Sequence, residues 1–111
     1  MILLTAQSQI RVATTAQDFR KGIDGFASLC RHELGENPQS GIIFVFINRS
    51  KTMIRILTYE ENGFWLMTKR LSKGKFRYWP DSGASVTTLM GKQLRCILQD
   101  KGDAREFHRE T

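Results

Sequence analysis

The middle of the chain reads Gly41-Ile42-Ile43-Phe44-Val45-Phe46-Ile47-Asn48-Arg49-Ser50-Lys51-Thr52-Met53-Ile54-Arg55-Ile56-Leu57-Thr58-Tyr59-Glu60-Glu61-Asn62-Gly63-Phe64. Ile42 to Ile47 is apolar at every position, which is the pattern of a central strand covered on both faces. Asn48 to Thr52 is a polar turn, Met53 to Tyr59 reads as a second strand, and Asn62-Gly63 marks a tight hairpin into a third strand, Phe64 to Lys69. Ser72-Lys73-Gly74-Lys75 predicts another turn. Phe76 to Trp79 then reads as a short strand ended by Pro80, which cannot donate to a ladder. Consecutive reversals of this kind predict an antiparallel meander of about four strands.

Toward the N-terminus, Ile10 to Ala13 has the character of a short strand, and Thr14, Thr15 and Asp18 offer side chains able to cap a helix. Phe19, Ile23, Phe26, Ala27, Cys30 and Leu34 recur at steps of three and four, so a helix is expected over 19–34 with one apolar face. Gly22 and Gly25 weaken it by up to ~1 kcal/mol each relative to Ala, and so mark either close packing or a late start. Gly35 and Pro38 supply the stop. Toward the C-terminus, Leu89 to Leu98 reads as a second helix ending near Gly102, with Thr88 as an alternative cap. The residues after it alternate in charge sign and predict a loosely held tail. The expected fold is α+β, with the meander packed against the N-terminal helix and a short C-terminal helix, in a single domain 1–100 followed by a charged C-terminal tail, 101–111.

A chain of 111 residues with 41% hydrophobic and 25% charged residues has a globular composition, and no apolar run approaches the ~20 residues that span a bilayer. The first residues lack the basic and extended apolar regions of a secretion signal, so a cytoplasmic location is expected. Cys30 and Cys96 match no Cys-x-x-Cys spacing and read as reduced, buried thiols.

Charge is the informative feature. Seventeen Lys and Arg stand against eleven Asp and Glu, a net +6. Residues 1–38 hold four of each sign and residues 81–111 hold five of each, so the segment 39–80 carries the whole excess. Its basic residues are Arg49, Lys51, Arg55, Lys69, Arg70, Lys73, Lys75 and Arg77, opposed only by Glu60 and Glu61. In a meander, alternate turns lie at one end, so the turns at 48–52 and 72–75 should be neighbours. The acidic turn should lie ~23 Å away at ~3.3 Å per residue, well beyond the ~8 Å range of a screened interaction. Such a patch suits the phosphates of a nucleic acid, with Tyr59, Trp65, Tyr78 and Trp79 on the same strands as rings for bases. Lys and Arg also blunt sheet edges, but blunting does not require clustering at one end.

Catalytic patterns are sparse. His32 and His108 lack metal-ligand neighbours at a recognisable spacing, and Asp18 and Asp24 read more simply as capping and solvated groups than as Mg²⁺ ligands. The chain contains neither a nucleophile elbow nor a phosphate loop. The expectation is a protein that is not an enzyme and uses no cofactor, metal or small-molecule substrate.

Asp18-Phe19-Arg20-Lys21-Gly22-Ile23-Asp24-Gly25-Phe26 resembles a block of the TnpB-type, or Orf2-like, accessory proteins of the IS66 class of insertion sequences. Phe44 to Arg49, Ile54 to Leu57, Lys69-Arg70-Leu71 with Gly74 and Phe76, and Trp79-Pro80 resemble later blocks of that family in the same order, over residues 11 to about 98. The sequence departs from the family at Glu60, Ser72 and Met90-Gly91. The resemblance implies a bacterial, element-encoded protein that assists transposition beside a separate DDE transposase and a second accessory protein, with no nuclease of its own. It assigns no functional residues. Together with the charge pattern, it leads to an expected contact of the eight basic residues with DNA at the element ends or target; the competing reading is an adaptor that docks on the transposase without touching DNA.

Overall fold

In a computed structural model that describes Leu4, Thr5 and residues 7–101, the chain forms β1 (Ile10–Ala13), α1 (Ile23–His32), β2 (Ile43–Ile47), β3 (Met53–Glu60), β4 (Gly63–Arg70), β5 (Val86–Leu89) and α2 (Gly91–Leu98). The strands make one sheet in the order β4-β3-β2-β1-β5. β2, β3 and β4 form the antiparallel meander that the periodicity predicts, with Glu60 paired to Gly63 across the Glu61-Asn62 turn.

The sheet differs from a four-strand meander in its other half. β1 runs parallel to β2, with Ile10 opposite Ile43, and β5 pairs antiparallel with the free side of β1, with Ile10 opposite Leu89. The α+β class stands, but the sheet is mixed and five-stranded. The physical reason is the long connection from Thr14 to Ile42, which contains α1 and so can return the chain in the same direction, as a parallel pair requires.

Phe76 to Trp79, expected as a strand, is not one. β4 and β5 lie at opposite edges, so the intervening chain must cross the sheet, and Phe76 and Trp79 serve that crossing by packing into the core. The apolar character that suggested a strand is used for burial instead.

β2 is buried at all five positions, as a doubly covered strand should be. Ile43, Val45 and Ile47 pack with Phe76, Leu94 and Ile97 on one face. Ile42, Phe44 and Phe46 pack with Phe26, Leu29 and Cys30 on the other. Each such burial is worth roughly 1.5–3 kcal/mol. The two helices therefore cover opposite faces, and Cys30 and Cys96 ride on opposite sides of the sheet.

α1 starts at Ile23, later than the apolar spacing from Phe19 suggests, and Gly22 is its N-cap without a side-chain cap. The carbonyls of Phe19 and Lys21, which a longer helix would use internally, accept instead from the Arg55 guanidinium at 2.6 and 3.2 Å. Both readings of the glycines hold. Gly22 marks the late start, and a Cβ on Gly25 would lie 2.6 Å from Lys21 Cβ. Gly35 reverses the chain with φ of 67°.

α2 starts at Gly91 because Leu89 is the last residue of β5. Its cap is Met90, whose backbone N–H donates to Gln93 Oε1 at 2.8 Å, while Thr88 sits in β5 opposite Arg11. α2 ends at Leu98 with Gln99 as its C-cap, short of the end expected near Gly102, and the tail beyond Lys101 lies outside the described residues. Among the described residues, no helix is long and apolar enough to cross a membrane.

Candidate nucleic-acid interface

The turn between β2 and β3 is organised by a buried polar residue. Asn48 Oδ1 accepts from the backbone N–H groups of Thr52 and Met53 at 2.9 and 3.0 Å. Its Nδ2 donates to Ser50 Oγ and Thr52 Oγ1, both at 3.1 Å. With all these bonds inside the turn, Arg49, Ser50 and Lys51 stand exposed around it. Lys51 takes φ of 61°, and it donates its N–H to Asn48 O at 3.1 Å.

The second basic turn hangs directly beside the first. Leu71 N–H donates to Thr52 O at 3.0 Å, and Phe76 N–H donates to Lys51 O at 2.8 Å. Between those two anchors, Ser72, Lys73, Gly74 and Lys75 form an exposed excursion, with Gly74 at φ of 79°. The adjacency expected from alternate reversals is thus made by backbone hydrogen bonds. Glu60 and Glu61 lie at the far end of β3, about 25 Å away at ~3.3 Å per residue.

The eight basic residues do not share one environment. Among the described residues, Arg49, Lys51, Arg70, Lys73 and Lys75 are exposed and make no side-chain hydrogen bond, although the charge of Arg49 acts on the Asp18 carboxylate across the cleft they share. Lys69, also exposed, donates from Nζ to Leu98 O at 2.6 Å, at the C-terminal end of α2 where a cation is favourable. Arg77 pairs with Asp100 at 3.1 Å and lies over the Tyr78 ring, so the acidic groups of the C-terminal third do reach one member of the set. Counting charges by segment missed this because folding returns residue 100 to residue 77.

Arg55 is turned inward. Its Nε donates to Thr68 Oγ1 at 2.8 Å across the β3–β4 pair, a second nitrogen reaches the carbonyls of Phe19 and Lys21, and the guanidinium lies over the rings of Phe19 and Phe26. It braces the approach to α1 against the sheet. Asp18 clamps Arg20 at 2.6 Å, and that hydrogen bonding holds its carboxyl well below the usual carboxylate range. Asp24 is exposed in the first turn of α1, and His32 is exposed in its last turn. His108 lies outside the described residues. Among the described residues, no three His, Cys, Asp or Glu side chains gather as a metal site would require.

Two clefts flank the first basic turn. One, of about 480 Å³, lies on the side of Asp18, Phe19, Arg49 and Met53. The other, of about 560 Å³, lies between Thr14, Thr15, Lys51, Trp79 and the segment from Asp81 to Ser85. Sequence reading found neither the clefts nor the organising role of Asn48; the only signal was an Asn opening a polar turn, which is common in any turn. The expected aromatic platform is dispersed: Trp65 is exposed and donates to Glu60 near the acidic turn, while Trp79 is half-buried beside Lys51.

The sequence profile of the family described as "IS66 Orf2 like protein" (TnpB_IS66) matches residues 8–105, running past the stretch 11 to about 98 over which the motif blocks resemble it. The chain is 31% identical over 90 residues to uncharacterized protein y4hO of Sinorhizobium fredii, covering 81% of this chain and 77% of that one. It is 38% identical over 72 residues to uncharacterized protein y4jC of the same organism, covering 65% and 62%. No solved structure matches. A profile match over nearly the whole described chain, with the motif blocks falling on β2, β3 and the two basic turns, places this protein in the IS66 Orf2-like family of insertion-sequence accessory proteins.

Proposed function

We propose that this chain is a non-catalytic subunit that contacts DNA phosphates during transposition through the paired basic turns, beside a separate DDE transposase and a second accessory protein. The observation that carries this reading is the pair of exposed cationic loops bonded side by side, with the acidic turn a strand length away. Arg49, Lys51, Arg70, Lys73 and Lys75 make the contacts, because their side chains are exposed and not tied up in hydrogen bonds. Lys69 and Arg77 flank them, and Arg55 supports the scaffold. An anionic strand laid across two such loops releases counterions in proportion to the phosphates neutralised.

The test is the salt dependence of binding to element-end duplex. Five phosphate contacts give a slope of log K against log salt of about −4.5. Binding that ignores salt, or no binding to any duplex at low salt, would overturn the reading. If the protein instead holds the purified transposase after nuclease treatment and never crosslinks to DNA, it is an adaptor whose basic end meets an acidic protein surface.

A further inference from the structure

The cleft beside Lys51 has features that phosphate contact does not use. Trp79 is fixed at one wall by its Nε1, which donates to Ala13 O at 3.0 Å, and Pro80 beside it is buried. Another part of the lining is tied to the end of β1, where Thr14 N–H donates to Ser85 O at 3.1 Å and the Thr14 hydroxyl donates to Ala84 O. The cavity, of about 560 Å³, is therefore walled by hydrogen-bonded segments and does not depend on a free loop. Lys51 belongs both to this cleft and to the basic turns.

Two further observations define the occupant. Lys51 holds a left-handed backbone, φ 61°, a conformation that favours glycine. Glu61 and Asp100 share that backbone at other turns, so at Lys51 it serves to set the side chain at the tip of the turn. Asp81, also on the lining, puts a carboxylate where a bare anion would be repelled. An aromatic wall, hydroxyls, one ammonium at the shared edge and one carboxylate suit a flat, polar-edged ring attached to a phosphate.

We infer that this cleft takes one unpaired base of a DNA strand whose phosphate rests on Lys51. The inference depends on the phosphate-contact reading above and adds a preference to it: a paired, stacked base cannot enter, so the protein selects duplex carrying a frayed or single-stranded nucleotide. Base contact with an aromatic side chain should strengthen binding by about tenfold.

The test uses the Trp65→Phe protein, which leaves Trp79 as its one tryptophan and alters only an exposed position remote from the cleft. Three probes are compared at fixed salt: a blunt duplex, the same duplex with a short single-stranded extension, and that extension made abasic so that phosphates remain without bases. The expected result is Trp79 fluorescence quenching and about tenfold tighter binding with the based extension only. Lys51→Gly, which removes the phosphate contact at the cleft, should weaken binding to the based and abasic extensions alike, whereas Trp79→Leu should abolish the preference between them while blunt-duplex binding is retained. Equal affinity for based and abasic extensions, or a preference that survives Trp79→Leu, overturns the base site while leaving phosphate contact intact. Failure to bind any of the three probes overturns both.

Discussion

Arg55 shows how a residue's type and its use can part. By sequence it is one cation among eight; in the fold its nitrogens are spent on Thr68 and on the Phe19 and Lys21 carbonyls. Arg55→Lys keeps the charge but loses the planar fork, and should lower stability by about 1–3 kcal/mol in urea unfolding. The salt slope of DNA binding should not change. Cys30 is a second case, because burial pushes its thiol up to about 12. The folded protein should leave Cys30 unalkylated by iodoacetamide at pH 8, with reaction appearing only on unfolding. Its folded pKa exceeds the unfolded value of ~8.5, so its contribution to stability is complete below that pH and is lost as pH rises toward 12. The apolar spacing did place Cys30 on a buried helix face, but the inward turn of Arg55 was not legible that way, since its partners Thr68, Lys21 and Phe19 lie 13, 34 and 36 residues away.

At the scale of elements, the turn built on Asn48 is the part most exposed to a single change. Asn48→Ala removes four side-chain hydrogen bonds and should cost about 1–3 kcal/mol in thermal or urea unfolding. Phe76→Ala, in the segment that crosses the sheet, should cost about 3–5 kcal/mol by the same measurement, because the ring is 2% exposed. The sequence revealed β2, β3, β4 and their hairpin clearly, since alternation and an Asn-Gly signal are local properties. β5 was hidden because Val86-Thr87-Thr88-Leu89 is short and mixes polar and apolar residues on a sheet edge. Phe76, Tyr78 and Trp79 misled for the converse reason: strand-like composition reports a half-buried surface, and a core-packed crossing segment needs the same side chains. The parallel partner of β2 was likewise illegible, because spacing along a strand says nothing of which strand lies beside it.

For the whole molecule, what matters is where charge remains unpaired after folding. The net +6 is distributed so that five exposed cations gather around two adjoining turns. Replacing Lys73 and Lys75 together by Glu should leave the melting temperature unchanged and remove about two units from the salt slope, a pairing of outcomes that a folding defect would not give. The adjacency of those turns was legible from the meander, whereas the pairing of Arg77 with Asp100 required the path of the C-terminal third. The placement of β5 has a consequence for how the protein is made. The first strand to leave the ribosome acquires its second neighbour only from residues 86–89, so nearly the whole chain must be synthesised before that flank is shielded. Until then the nascent protein presents an adhesive ribbon, and early termination before Val86 should yield aggregates rather than a smaller working unit.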